Sequence, residues 1–165
     1  MKFIADVMLG RLAKRLRLLG FDVLYDRTLD GSGLIRLSLE QDRVLLTRDL
    51  ELAARPLAAN RLVIQSDHVR EQVEQTLAAF CLESHIASLT RCSVCNEALS
   101  SISKQDAKDL VPLHVYDRTM LFLRCPICGR IYWKGSHMRS MALQGEKKKA
   151  GPPKGTGFQE INTVK

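Results

Sequence analysis

Residues 43–49 read Arg43-Val-Leu-Leu-Thr-Arg-Asp49, a short apolar run between two arginines, closed by a carboxylate. Such a run predicts a buried strand from Val44 to Thr47, since a strand with one wet face would alternate apolar and polar residues. The pattern recurs on both sides. Lys2-Phe-Ile-Ala5 is an apolar run ending at Asp6, Phe21-Asp-Val-Leu-Tyr25 reads as a second strand, and Arg61-Leu-Val-Ile-Gln65 as a fourth.

The stretches between these runs have helical periodicity. Leu9, Leu12, Leu16 and Leu19 recur at helical spacing, with Arg11, Lys14, Arg15 and Arg17 between them and Gly20 as a stop, which predicts an amphipathic helix with a basic outer face. Asp30-Gly-Ser-Gly33 supplies turn and cap chemistry before a helix over roughly Leu34 to Gln41. Another helix is expected to start near Asp49 and stop at Pro56, and Ser66-Asp67 to cap one carrying Val69, Val73, Leu77 and Phe80. Alternating strands and helices require crossover connections, so the expected fold class is α/β, a mostly parallel sheet flanked by helices. This domain is assigned to residues 1–88.

The chain has 165 residues, 45% hydrophobic and 26% charged, which suits a packed globular core and argues against a disordered chain. Lys14, Arg15 and Arg17 interrupt the most apolar early segment, so no membrane span is expected. An acidic residue at position six argues against a secretory signal. A cytoplasmic location follows as the expectation. The net charge of +7 is unevenly placed: residues 1–88 are balanced, and the whole excess lies in 89–165. A basic half beside a neutral half points to a polyanion such as nucleic acid or, equally, to a solvated surface with a basic tail.

Four of the five cysteines form two pairs, Cys92-Ser-Val-Cys95 and Cys125-Pro-Ile-Cys128. Two CxxC turns facing each other offer Zn²⁺ the four thiolates of a closed tetrahedral site, which is structural because no coordination position stays open. Asn96 and Gly129, directly after the pairs, suit the positive-φ turn of such knuckles. The zinc ribbon is assigned to residues 89–141, and residues 142–165, rich in Lys, Pro and Gly, to a basic, disordered tail. Cys81 is expected to be a buried core thiol. Arg91, Arg124, Arg130 and Lys134 crowd the knuckles beside Tyr132 and Trp133; the rings suit either unpaired bases or the ribbon's small core, and the cations either phosphates or the anionic zinc centre.

Asp6, Asp49 and Asp67 each follow a strand-like run, and Asp30 lies just beyond the second strand. In a parallel sheet the carboxyl ends line one edge, where ligands of open α/β sheets bind. Clustered carboxylates there would call for Mg²⁺ or Mn²⁺ and phosphodiester hydrolysis. The alternative is that each Asp caps the following helix. No phosphate-binding glycine loop, nucleophile elbow or HExxH is present in the sequence.

These pieces together resemble the Mut-7 C-terminal RNase domain family. The resemblance is carried by Phe3-Ile-Ala-Asp6, Leu9-Gly-Arg-Leu-Ala-Lys-Arg-Leu-Arg-Leu-Leu-Gly20, Arg43-Val-Leu-Leu-Thr-Arg-Asp49, Arg91-Cys-Ser-Val-Cys-Asn96, Cys125-Pro-Ile-Cys-Gly129 and Ile131-Tyr-Trp-Lys-Gly-Ser-His137. It implies a PIN-like nuclease fold with a zinc ribbon, and a metal-dependent ribonuclease with structural Zn²⁺ and catalytic Mg²⁺ or Mn²⁺. By position it implies Asp6 and Asp49 as the metal-holding acids, with Asp67 and Asp30 completing the set and Asp26 or Glu40 as substitutes. Arg48 is the candidate for the scissile phosphate or for a salt bridge within the acids. Arg11, Lys14, Arg15, Arg91, Arg124, Arg130, Lys134 and His137 are the further candidates for RNA contact. The alternative function is a non-catalytic RNA-binding protein, or one associated with the ribosome or RNA processing.

Overall fold

The structure, a computed structural model, describes residues 1–134. His137, the end of the ribbon and the basic tail lie outside the described residues. Contacts divide the chain into two compact units, the first Met1–Ala98 and the second beginning at Leu99.

The first unit is a four-stranded parallel sheet in the order β2-β1-β3-β4, formed by β1 (Lys2–Ala5), β2 (Asp22–Leu24), β3 (Val44–Thr47) and β4 (Arg61–Val63). The registers pair Phe3 with Val23, Ile4 with Leu45 and Leu46 with Leu62. The crossovers carry α1 (Gly10–Leu18), α2 (Gly31–Glu40) and α3 (Leu50–Ala54), and α4 (Val69–Ala79) follows β4. Successive strand residues point to opposite faces. Ile4 and Leu45 therefore meet Leu34, Ile35, Leu52 and Ala58 on the α2 and α3 side. Phe3 faces Phe21 edge-on and Phe80 at a tilt, on the side where α1 packs against α4. The expected parallel α/β architecture is what the chain adopts.

Each local deviation from the sequence reading has a physical cause. The helix expected from Leu34 starts at Gly31, because Asp30 is its N-cap and accepts from Gly33 N at 2.7 Å. Position Asp67 is not the cap of α4; Ser66 serves that turn, accepting from His68 N at 3.0 Å and donating to Glu71 Oε2 at 2.6 Å. Cys81 is exposed rather than buried, and it turns the chain out of α4 with φ +52°. The open edge of β4 is blunted by Gln75, whose amide accepts from Gln65 N at 3.0 Å and donates to Val63 O at 2.8 Å, imitating a ladder partner.

The second unit contains a three-stranded antiparallel sheet, β5 (Ser100–Ile102), β6 (Phe122–Arg124) and β7 (Ile131–Trp133), with short helices α5 (Lys104–Ala107) and α6 (Leu113–Arg118). Its core is small: Ala107, Val111, Phe122 and Ile131, with Trp133 and Tyr116 packed against them.

Candidate functional site

Strands β1 and β3 are neighbours whose onward connections run to opposite sides of the sheet, so their carboxyl ends flank the topological switch point. Asp6 follows β1 there. It is only 6% exposed, yet its carboxylate makes no cap bond to the 3-10 turn Val7–Leu9 that it precedes. Its Oδ2 instead accepts from Thr47 Oγ1 at 2.8 Å. Thr47, fully buried at the end of β3, accepts in turn from Asp49 N at 3.0 Å. One hydroxyl thus links the two acids that the sequence separates by 42 intervening residues.

Asp49 is the N-cap of α3, its Oδ1 accepting from Glu51 N at 2.8 Å and Leu52 N at 3.0 Å. No donor among the described residues reaches Asp49 Oδ2 or Asp6 Oδ1. Each carboxylate therefore keeps an oxygen available to a ligand.

The remaining acids have other partners. Asp30 is exposed and caps α2. Asp67, with 76% of its side chain exposed, forms an ion pair with Arg48 Nη1. Asp26 closes a turn by accepting from Thr28 N at 2.9 Å and Thr28 Oγ1 at 2.7 Å, bonds that hold its carboxyl below the ordinary range. Glu40 pairs with Arg36 on the outside of α2. It sits at the end of that helix just before β3 begins, and so at the sheet edge opposite Asp6. The four candidate acids do not converge into one group of three or more ligand atoms among the described residues.

That opposite edge holds a second cluster, which the sequence reading missed. Asp22 opens β2, and its Oδ1 accepts from Arg43 Nη1 at 2.7 Å and from Asn96 Nδ2 at 2.8 Å. Asn96 Oδ1 accepts from Val23 N at 3.1 Å, and Arg91 reaches both Asn96 O (2.7 Å) and Asp22 Oδ2 (3.8 Å). Arg17, buried at 5% exposure in α1, donates to Val23 O, Ser93 O and Val94 O at 2.9, 3.1 and 2.7 Å. Burial pushes the Asp22 carboxyl up, but the bonds from Arg43 and Asn96 and the charges of Arg43 and Arg91 outweigh it, leaving it below the ordinary value. The first cysteine turn is thus bolted to the amino edge of the sheet.

Both CxxC turns have the same backbone pattern. Cys92 N donates to Glu97 O at 2.8 Å and Asn96 N to Cys92 O at 3.0 Å; Cys125 N donates to Arg130 O at 3.0 Å and Gly129 N to Cys125 O at 2.9 Å. Asn96 and Gly129 take φ +63° and +72°, the left-handed turn expected of them. The four Sγ atoms lie within 4.8 Å of one another, a soft donor set that fits one zinc ion.

Among the expected RNA contacts, Arg11, Lys14, Arg124 and Lys134 are exposed. Arg15 is half-buried, which lowers its guanidinium pKa. Arg130 is also partly buried, Arg91 is engaged with its own turn, and Arg48 pairs with Asp67. Tyr132 is buried and Trp133 packs on the ribbon core, so the rings serve the fold.

A parallel four-stranded sheet flanked by helices, with a separate small antiparallel sheet and a four-cysteine cluster that could bind zinc, defines the class of α/β protein to which the chain belongs. Residues 1–144 match the family model described as the Mut7-C RNAse domain, and the chain belongs to that family. No curated protein and no solved structure gives a significant match.

Proposed function

We propose that this protein is a metal-dependent ribonuclease that hydrolyses phosphodiester bonds in RNA, with Asp6 and Asp49 holding Mg²⁺ or Mn²⁺ and the cysteine tetrad holding a structural Zn²⁺. Family membership supports RNA chemistry. The observation that carries the metal reading is Asp6: a carboxylate 6% exposed, with one hydroxyl as its only side-chain donor among the described residues, lacks the compensation that a buried charge needs. A hard divalent cation is the natural complement, and Asp49 contributes a second carboxylate oxygen across Thr47.

When bound, such an ion supplies acidified water and charge compensation on the phosphate. The chain's own part is positioning. Thr47 fixes the rotamer of Asp6, and the cap bonds of α3 fix that of Asp49. Arg11 and Lys14 on α1, and Arg124 and Lys134 on the ribbon, are the exposed cations available to the phosphate backbone. Paired cysteines read as metal ligands support a reducing compartment, the cytoplasm, as the setting of this activity.

The test is Asp49→Asn. Asparagine caps helices as well as aspartate does, so α3 and the fold are retained while the charge is lost. Cleavage of single-stranded RNA in Mg²⁺ or Mn²⁺ is expected to vanish with RNA affinity nearly unchanged; cleavage at the wild-type rate would refute the proposal. The second reading, a non-catalytic RNA binder, is favoured by the capping roles of Asp30 and Asp49. It requires that RNA binding be salt-sensitive and that no divalent ion elicit cleavage.

A further inference from the structure

The chain around Asp67 is held firmly. Ile64 N donates to Thr47 O at 2.8 Å, Gln65 N to Gln75 Oε1 at 3.0 Å, His68 N to Ser66 Oγ at 3.0 Å, and Gln72 Nε2 to Ser66 O at 2.8 Å. The backbone is fixed on both sides of Asp67, yet its side chain stands 76% exposed and meets Arg48. Arg48 is the more buried partner, at 26%. It lies between Thr47 and Asp49, the residues that carry the hydrogen-bonded link to Asp6, so its backbone cannot shift without breaking that link.

A guanidinium presents a rigid planar fork that matches phosphate and carboxylate equally well. An exposed ion pair is weak, so an arriving anion competes with the resident one on nearly even terms. We infer that Arg48 binds a phosphate of the RNA strand beside the acid pair, and that Asp67 is the carboxylate holding its place until RNA arrives. The inference rests on the ribonuclease reading and assigns Asp67 to Arg48 rather than to the divalent ion. Exchange of one anion for another keeps Arg48 neutralised in both states, and the guanidinium is aimed before the substrate binds.

The test is a double-mutant cycle on the full zinc-loaded chain: wild type, Asp67→Asn, Arg48→Gln and the double variant. Affinity for a short single-stranded RNA is read by fluorescence anisotropy without added Mg²⁺ or Mn²⁺. Asp67→Asn is expected to tighten binding about 1.4- to fivefold, the range spanned by exposed ion pairs, and Arg48→Gln to weaken it. Adding Asp67→Asn to Arg48→Gln should then change nothing. Equal tightening in both backgrounds would reveal general repulsion of RNA by Asp67 and overturn the inference, as would an unchanged affinity of the single variant. Cleavage measured in parallel separates the two readings. If the cycle behaves as expected while wild type cleaves nothing, the phosphate site stands and the nuclease falls. If wild type cleaves and Asp67→Asn abolishes cleavage at unchanged affinity, Asp67 belongs with the divalent ion and the inference falls alone.

Discussion

Replacing Thr47 with valine removes one oxygen from a fully buried side chain and leaves its shape nearly intact. That oxygen donates to the Asp6 carboxylate at 2.8 Å and accepts from Asp49 N at 3.0 Å. A hydrogen bond to a charged group contributes about 1.5–3 kcal/mol and a neutral one about 1 kcal/mol. Both are lost, and Asp6 is left as a buried charge without a side-chain donor, so Thr47→Val should destabilise the first unit by about 2–4 kcal/mol. Thr47→Ser keeps the hydroxyl and loses one buried methyl, a cost of about 1 kcal/mol. Urea unfolding followed by circular dichroism at neutral pH, with zinc present, measures both. Repeating it with Mn²⁺ adds a second reading: wild type and Thr47→Ser should gain stability from the ion, and Thr47→Val markedly less. If the valine variant unfolds at the same midpoint as the serine one, the hydroxyl does not tie the two acids together and the site loses its organising residue.

Two further outcomes concern the other edge of the sheet and the ribbon. Asp22 titrates below its ordinary value in the fold, so its contribution is present above the unfolded carboxylate pKa of about 3.9 and is lost as pH falls through the lowered folded value. Asp22→Asn should therefore be less stable than wild type at pH 6, with the gap closing below about pH 4 in parallel denaturation curves; a gap independent of pH would contradict the assigned ion pairs. Metal analysis should find one zinc per chain, and Cys125→Ser should abolish it. Because the hydrophobic cluster of the second unit holds four buried residues among the described ones, the loss of zinc should also remove protection from amide exchange in β5 to β7. Retained protection in the zinc-free chain would show that the metal is not what holds the ribbon.

The sheet was legible because a strand covered on both faces has only one economical sequence, an uninterrupted apolar run, and Lys2-Phe-Ile-Ala5 and Val44-Leu-Leu-Thr47 are such runs with matching observed bounds. The cysteine spacing and the residues after each pair were equally readable, since a knuckle needs two thiolates and a left-handed turn within five positions. Hydrogen-bond partnerships distant in sequence were not readable. Thr47 looked like the last residue of an apolar strand, and its hydroxyl acquires meaning only when register sets β3 beside β1. Arg17 looked like part of a basic outer face, although it is buried and spans to the first cysteine turn. Helical periodicity places a residue on a stripe, but the edge of that stripe is decided by what packs there. A signal was available for Asp22: it is a charge inside a strand-like run, and charges survive there only with partners.

The two edges of the parallel sheet treat carboxylates in opposite ways, and that contrast supports the proposed location of function at one of them. Asp22, at the amino ends, has 19% of its side chain exposed and is met by Arg43, Arg91 and Asn96, so its charge is already balanced by the protein. Asp6 lies across the length of β1, roughly 13 Å away at about 3.3 Å per residue, and is buried more deeply with a single hydroxyl as its side-chain donor among the described residues. A sequence selected only for stability would balance both, because a buried charge without a counter-charge costs several kcal/mol. Arginine placed at Thr47 would bring such a counter-charge, yet the position holds a small neutral donor that fixes the carboxylate without neutralising it. The charge that the described residues leave uncompensated thus supports the proposed cation site, at the edge where parallel sheets bind their ligands.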